Sequence, residues 1–290
     1  MTPIDLAVLG GSGLYQIAGL TEIEEVEVET PYGAPSDRIH LGTLEGRRMA
    51  FLARHGQGHH LLPGEIPFQA NIWALKSLGV RQVLSISAVG SMRESMPPRH
   101  MVLVDQFIDR THGRPSTFFG DGIVAHVSLA DPTCGRLATA VQKAAGKLAD
   151  VLHVGGTYLC MEGPAFSTRA ESALFRSWGV DVIGMTNIQE ARLCREAEIC
   201  FATLALVTDF DCWHEEEDDV SVEGLLETLR ANGEAAEALL IDTLPKLAGE
   251  WSCACATALD GAILTPHHTL SPETRERLAP ILARVLEDKS

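Results

Sequence analysis

Short apolar runs that alternate with helical patterns are the feature of this sequence that most limits its fold. The first run, residues 6–9, stops at a glycine-rich loop, Gly10-Gly11-Ser12-Gly13. Similar runs follow at residues 50–53, 83–86, 101–104, 182–183 and 202–207. Amphipathic stretches lie between several of them, at residues 67–79 and 135–149. Strands that alternate with helices predict an α/β domain with a mixed, mostly parallel β-sheet flanked by helices.

The domain organisation follows from where this pattern stops. Apolar residues at helical spacing continue to about residue 248, so we place a single domain at residues 1–248. Residues 249–290 then form a C-terminal extension with a terminal helix. Ser271 and Pro272 are typical of a helix start. The apolar stripe that follows them consists of Leu278, Ile281, Leu282 and Val285.

The charge of the chain argues against two classes of function. It has 23 Lys and Arg against 39 Asp and Glu, a formal net charge of −16. Nucleic acids and anionic membranes both attract proteins with a basic surplus, so neither is an expected partner. A small anionic substrate needs only a few local donors. No apolar run reaches the ~18 residues of a membrane helix, and the N-terminus has no signal-peptide pattern. We therefore expect a cytoplasmic protein.

The seven cysteines are scattered along the chain, as is typical of reduced, partly buried thiols in an intracellular protein. Only Cys253 and Cys255 are close in sequence, and no second pair at zinc-binding spacing accompanies them. We therefore expect no metal site. The sequence leaves open whether Cys253 and Cys255 pair with each other.

Three predicted strand ends carry residues that suit an anion. The first loop is not a dinucleotide fingerprint, because Gln16 stands at the third glycine position, but its bare N–H groups and Ser12 can hold a phosphate. Arg54 and His55 follow another strand, and small residues at 87–91 end a third. Carboxyl ends of parallel strands share one sheet edge, so we predict one anion site. A plain turn and a surface-exposed Arg54 are the alternatives.

A second group of residues suits a flat ring and a sugar. Phe166 can stack on an aromatic base, and Met185 can lie against a sugar face. Asp209 ends a strongly apolar run, where partial desolvation should raise its pKa and allow it to donate a proton. The alternative is that Asp209 only caps the segment that follows it.

These segments resemble the trimeric purine nucleoside phosphorylase family, and most of all its branch that acts on 5′-methylthioadenosine. The resemblance covers residues 6 to about 248. It implies the nucleoside phosphorylase fold, a pentosyltransferase activity and a homotrimer or a dimer of trimers. The matching stretches are residues 10–14, 30–33, 52–56, 69–75, 105–110, 162–171, 185–186 and 208–213.

The resemblance also assigns roles to individual residues. Asp209 is the implied catalytic residue, and no metal or organic cofactor is implied beyond phosphate as a co-substrate. His126 is implied to reach into the site of a neighbouring subunit. The implied phosphate-binding residues are Ser12, Arg54, His55, Ser87, Ala88 and Thr186. The implied nucleoside contacts are Phe166, Ser167, Met185, Asp209 and Asp211, with Val222 and Leu226 at the 5′-substituent.

The implied reaction is phosphorolysis of 5′-methylthioadenosine to adenine and 5-methylthioribose 1-phosphate, a step of methionine salvage. Ser167 and Asp209 stand where oxopurine members of the family carry Glu and Asn, and a carboxylate that faces N6–H₂ favours a 6-aminopurine. Asn187 is a departure whose amide could serve a 6-oxopurine. A phosphorylase for methylthioinosine or other 6-oxopurine nucleosides is therefore the alternative. A nucleoside-binding protein without catalysis would not need the anion loops and Asp209 together.

Overall fold

A computed structural model of the chain describes residues 4–11, 17–214, 222–247 and 253–287, without the side chains of 222–227, 229 and 287. The strands of these ranges are β1 (Leu6–Gly10), β2 (Thr21–Val26), β3 (Ile39–Leu44), β4 (Arg47–Ala53), β5 (Gln82–Ser91), β6 (Met101–Val104), β7 (Gln106–Arg110), β8 (Leu152–Val154), β9 (Thr157–Met161), β10 (Val182–Gly184) and β11 (Cys200–Asp209). The α-helices of the same ranges are α1 (Phe68–Ser77), α2 (Gly135–Ala144), α3 (Arg169–Ser177), α4 (Asn187–Glu196), α5 (Val222–Thr243), α6 (Pro272–Arg277) and α7 (Ala279–Glu287).

The described strands form one mixed sheet. Its main path runs β2-β3-β4-β1-β5-β10-β9-β7, and β11, β6 and β8 branch from β5. The central strands β4, β1, β5 and β11 are all parallel to one another. Antiparallel pairs join β3 to β4, β10 to β5 and β6 to β11. The predicted α/β architecture with a mixed, mostly parallel sheet is confirmed.

Helices cover both faces of the central strands, which explains why those strands are mostly apolar on both faces. In β1, Leu6 and Val8 point into one hydrophobic cluster, while Ala7 and Leu9 point into the other. Helices α1, α4 and α7 supply the second cluster, and α2 and α5 supply the first. A strand that is buried on both faces has no polar side to alternate with, so it appears in the sequence as a continuous apolar run.

Two helix predictions differ from the structure, each for a backbone reason. Helix α2 ends at Ala144 rather than near residue 149, and a single 3₁₀ turn at Gly146–Leu148 follows it. Gly146 has a φ of 49°, a left-handed conformation that stops an α-helix. The terminal helix is two helices, α6 and α7, which separate at Leu278. Pro280 has no N–H to donate to the carbonyl four residues earlier, so one continuous helix would lose that bond.

The C-terminal extension packs on the same core as the rest of the chain. The Ser271 hydroxyl accepts a hydrogen bond from the Thr274 N–H at 3.1 Å, which confirms the predicted helix start. The predicted stripe is buried in the cluster that contains α1 and α4, and Trp73 Nε1 donates to the Arg277 carbonyl at 2.9 Å. The expected domain boundary at residue 248 falls outside the described residues. No helix in the described ranges is long and apolar enough to cross a membrane.

Candidate active site

The carboxyl ends of the parallel strands meet at one edge of the sheet, as their pairing requires. Gly10 at the end of β1 pairs with Ala53, and the Arg54 N–H donates to the Gly10 carbonyl at 2.9 Å. Asp209 at the end of β11 pairs with Gly90 of β5. Ala88 is exposed although its neighbours in β5 are buried. The sheet edge is therefore accessible at Ala88, one of the residues predicted for phosphate.

Arg54 lies in the interior, so the alternative of a surface charge is wrong. The side chain is 3% exposed and forms a bidentate ion pair with Glu190, which is 2% exposed. It also donates to Ser85 Oγ at 2.6 Å, to the Ile86 carbonyl at 3.1 Å and to the Leu9 carbonyl at 3.3 Å. The guanidinium is thus held at the sheet edge by internal partners, and its contact with phosphate stays a prediction.

Asn187 belongs to the same buried network. Its amide nitrogen donates to Ser85 Oγ at 2.8 Å and to Glu190 Oε2 at 3.1 Å, and the residue is fully buried. Ser85 Oγ in turn donates to Glu190 Oε2 at 2.7 Å. The amide that we considered as a partner for a 6-oxopurine is therefore committed to Glu190 and Ser85.

His55 is held as a neutral ring with a defined tautomer. Its Nδ1 lies 2.8 Å from the Leu61 carbonyl, which can only accept, so the proton is on Nδ1 and Nε2 is an acceptor. Burial lowers the pKa of His55 to about 4, although the bond to Leu61 opposes this shift. The ring stacks on His59 with 4.2 Å between centroids. We expected His55 to be a further donor to phosphate, but at neutral pH its free nitrogen accepts instead.

Ser87 and Thr186 are both buried beside Tyr158. Ser87 Oγ lies 3.4 Å from the Tyr158 hydroxyl, and both Ser87 and Thr186 are 5% exposed. Thr186 stands at the N-cap of α4 but makes no side-chain capping bond there. A helix N-terminus offers N–H groups to an anion, so this position suits the predicted phosphate role. Ser12, the remaining predicted phosphate ligand, lies outside the described residues.

Phe166, Ser167 and Met185 lie in two segments that contact each other. Gly163 has a φ of 68°, which favours glycine, and a Cβ there would lie 2.5 Å from Met185 Sδ, so the 162–167 loop and Met185 are in close contact. Phe166 is 47% exposed, an unusual exposure for a large aromatic ring and one that suits stacking on a ligand. The Cys212 thiol lies 3.3 Å from the Ser167 carbonyl and joins this loop to the end of β11.

Asp209 is half-buried, and both carboxylate oxygens accept a hydrogen bond. The Asp211 N–H donates to Oδ1 at 2.8 Å, and the Thr208 hydroxyl donates to Oδ2 at 2.6 Å. Burial nevertheless raises the pKa of Asp209, which confirms the predicted direction. The bond from Asp211 is local to the turn after β11. Asp209 therefore stabilises that turn while it remains at the sheet edge, and its catalytic role stays a prediction.

Asp211 stands two residues further on and is 7% exposed. Burial raises its pKa as well, and its φ of 54° is left-handed, an uncommon conformation for a residue with a side chain. A Cβ at Gly90 would lie 2.9 Å from Asp209 Oδ1 and 3.4 Å from the Asp211 Cβ. Gly90 therefore provides the space in which the two acidic residues sit above β5.

Three further predicted contacts stay predictions. His126 is exposed on a segment that pairs with the C-terminal extension, where its N–H donates to the Ala262 carbonyl at 2.9 Å. The structure does not bring His126 to the other described site residues of its own chain, and its role in the site of a neighbouring subunit stays a prediction. The side chains of Val222 and Leu226 lie outside the described part of the chain.

Sequence reasoning missed two residues that organise the site, Arg114 and Glu190. Arg114 is buried and donates to the Met185 carbonyl at 2.6 Å and to the Glu162 carboxylate at 3.1 Å, so it ties two site segments together. Both residues are charged side chains without a motif around them. Only their burial reveals their role.

Comparison with known proteins gives a consistent result. A family model described as the phosphorylase superfamily matches residues 5–245. The S-methyl-5′-thioadenosine phosphorylase of Geobacter sulfurreducens is 52% identical, covering 96% of this chain and 97% of that protein. The protein of the same name from Thermosynechococcus vestitus is 54% identical, covering 97% and 99%. The crystal structure of a methylthioadenosine phosphorylase from an antarctic soil metagenomic library superposes with a TM-score of 0.92 at 51% identity, covering 97% of this chain and 100% of that one.

Proposed function

The chain belongs to the phosphorylase superfamily, and from that premise we propose that it catalyses the phosphorolysis of 5′-methylthioadenosine to adenine and 5-methylthioribose 1-phosphate. The proposed substrate rests on one observation, the 52% identity, over almost the whole of both chains, to an S-methyl-5′-thioadenosine phosphorylase. The arrangement of the sheet edge supports the same reaction, because it sets donors for an anion beside an acid of raised pKa.

In the proposed mechanism, phosphate binds where Ser87, Ala88 and the N-terminus of α4 come together. A phosphate oxygen forms a bond to the anomeric carbon as the bond from that carbon to purine N9 breaks. The sugar passes through an oxocarbenium-like state, which the phosphate anion stabilises. Asp209 assists the leaving purine by giving a proton or a hydrogen bond to N7. General acid assistance of this kind contributes roughly 10²–10⁴-fold to the rate.

The proposed preference for a 6-aminopurine rests on two features of the structure. With its proton on the oxygen that faces N7, Asp209 offers its other oxygen as an acceptor to an N6–H₂ group, and a carbonyl at position 6 would face that oxygen with no hydrogen between them. Asn187, the residue whose amide could serve a 6-oxopurine, donates to Ser85 and Glu190 in the interior. Mispairing a buried polar group costs about 1–3 kcal/mol. That free-energy difference corresponds to about one to two orders of magnitude in kcat/KM between 6-aminopurine and 6-oxopurine nucleosides.

We further propose the assembly and setting of the enzyme. It acts as a cytoplasmic homotrimer, alone or as a dimer of trimers, in which His126 approaches the site of a neighbouring subunit. Catalysis uses phosphate as the co-substrate and involves neither a metal ion nor an organic cofactor.

A competition assay tests the proposal. The protein is incubated with phosphate and an equal mixture of methylthioadenosine and methylthioinosine, and the released bases are separated by chromatography. We expect adenine to exceed hypoxanthine by at least ~10-fold, as the mispairing argument requires. Equal release, or an excess of hypoxanthine, would contradict the proposed base preference. Release of neither base would contradict the proposed activity.

A further inference from the structure

Four of the seven cysteines converge where the C-terminal extension meets the sheet. The Sγ atoms of Cys134, Cys200, Cys253 and Cys255 all lie within 4.8 Å of one another, and those of Cys200 and Cys253 are 3.1 Å apart. Cys253 is partly exposed, and the other three are buried. The group thus offers four sulfur ligands around one point, with one side near solvent.

This cluster is separate from the candidate active site. Cys200 begins β11 and Asp209 ends it, so the cluster and the catalytic candidate lie at opposite ends of one ten-residue strand. An extended strand rises about 3.3 Å per residue, which places them roughly 30 Å apart. A function of the cluster is therefore independent of the proposed reaction.

Three separate elements hold the four sulfurs in place. Cys134 is the N-cap of α2, and its N–H donates to the Phe201 carbonyl of β11 at 2.6 Å. The Cys200 N–H donates to the Arg81 carbonyl at 2.9 Å. Cys253 and Cys255 lie at the 3₁₀ turn that starts the described part of the extension. The backbones of Cys134 and Cys200 are thus held by hydrogen bonds that do not depend on the sulfurs.

The geometry and charges suit a divalent ion bound by thiolates. Four sulfurs at ~2.3 Å from a tetrahedral zinc ion are about 3.8 Å from one another, within the spacing of the cluster. The Arg136 guanidinium lies 3.7 Å from Cys200 Sγ and offsets part of the net negative charge of a tetrathiolate. Cys134 at the N-terminus of a ten-residue helix is likewise in a position that favours an anionic sulfur.

We propose that Cys134, Cys200, Cys253 and Cys255 form a structural zinc site that fastens the C-terminal extension to the sheet. Four protein ligands close the coordination sphere, so the ion has a structural role and no open position for a substrate. This proposal differs from the sequence-based expectation of no metal. The second ligand pair comes from residues far from Cys253 along the chain, so the spacing of cysteines in the sequence does not show it.

Metal analysis of the purified protein tests the proposal. The full chain is expressed with zinc in the medium and purified under reducing conditions without chelators, and its metal content is measured by mass spectrometry. We expect about one zinc ion per chain. The double variant Cys253→Ala/Cys255→Ala should lose at least nine-tenths of this zinc. Cys194→Ala, which removes a buried cysteine outside the cluster, should keep it.

Two further measurements keep the test decisive if the double variant does not fold. Wild-type protein reconstituted with cobalt should show the absorption of a tetrahedral cobalt thiolate centre. Wild-type protein purified separately without reductant, then denatured in the presence of a chelator, should show all seven thiols reactive. Absence of stoichiometric zinc together with absence of the cobalt spectrum would overturn the proposal. Recovery of two or four fewer thiols than the chain contains would also overturn it, since cysteines of the cluster would then be joined in one or two disulfides.

Discussion

Replacing Asp209 by Asn separates a catalytic role from a structural one. The substitution preserves the shape of the side chain and most of its bonds. The remaining oxygen can still accept from the Asp211 N–H, and the new amide can donate to the Thr208 hydroxyl. The substitution removes the acid, however, and with it the ability to give a proton to the leaving purine.

The expected loss is in the chemical step. General acid assistance contributes roughly 10²–10⁴-fold, which corresponds to about 3–5 kcal/mol of transition-state stabilisation at 1.36 kcal/mol per decade. We expect kcat and kcat/KM for methylthioadenosine to fall together by that factor, because the interaction acts mainly in the transition state. Initial rates of adenine release at saturating phosphate give both constants. The conservative variant Asp209→Glu restores the acid and should recover part of kcat.

The expected effect on stability has the opposite sign. Burial raises the pKa of Asp209 in the folded state above the ordinary value of 3.8 that applies to the unfolded chain. At a pH between the unfolded-state and folded-state pKa values, the folded state therefore binds more protons than the unfolded state. The wild-type free energy of unfolding therefore falls as the pH rises through this window. Above the window, the desolvated carboxylate destabilises the folded state to its full extent. Asp209→Asn removes that charge. Its free energy of unfolding, measured in urea at neutral pH, should equal or exceed that of the wild type, and this advantage should vanish in acid.

Two results would refute this reasoning. If the variant kept its kcat and only unfolded more easily at neutral pH, Asp209 would serve the turn after β11 and not the reaction. If only KM rose, Asp209 would be a ground-state binding group. A pH profile of kcat separates these cases further. Wild-type kcat should decline with rising pH as Asp209 loses its proton. The kcat of the Asn variant should not show this decline.

Three further predictions address other parts of the site. Arg54→Ala removes the cation that pairs with Glu190 in the interior and should lower the free energy of unfolding, measured in urea, by about 3–5 kcal/mol. In kinetic assays below the melting temperature of the variant, KM for phosphate should rise far more than KM for nucleoside. An unchanged KM for phosphate would show that Arg54 is not part of the phosphate site. Gly90→Ala places a Cβ 2.9 Å from Asp209 Oδ1 and must displace that carboxylate. A displacement of about 1 Å near the reacting atoms can lower kcat/KM by about 10²-fold, which is the loss that we expect. Retention of the wild-type kcat/KM would show that the reaction does not depend on the position of Asp209. His126→Ala should raise KM for nucleoside while sedimentation still shows a trimer, and a fully active monomeric wild type would contradict both the assembly and this role.

The central sheet could be predicted from the sequence because its strands are buried on both faces. In the run of residues 202–207 only Thr203 is polar, and it is buried, so the length of the run and the polar residues that follow it marked it as a strand. Ser271 was predictable as a helix start for a similarly local reason. Helix α4 was not, because it is buried on nearly all sides and includes buried Gln189 and Glu190. Polar residues therefore interrupt its buried positions, and the apolar residues alone did not mark it as a helix.

The sequence predicted which residues lie at the sheet edge, but it did not predict their hydrogen-bond and ion-pair partners. Strand ends placed Arg54, Ala88 and Asp209 at one edge, since parallel strands align their carboxyl ends. The partner of Arg54 is Glu190, which lies 136 residues away along the chain. The tautomer of His55 depends on a carbonyl in the loop that follows it. Such pairings depend on tertiary packing, and no local spacing in the sequence encodes them.

Phosphorus NMR of the reaction mixture tests the central claim most directly. The protein is mixed with inorganic phosphate and methylthioadenosine, and adenine is measured in the same sample. The account predicts that the inorganic phosphate signal declines as a sugar phosphate monoester signal grows, in equal amounts with the released adenine. Adenine that appears while inorganic phosphate stays constant would show hydrolysis by water and contradict the account. Unchanged methylthioadenosine at saturating phosphate would contradict it as well.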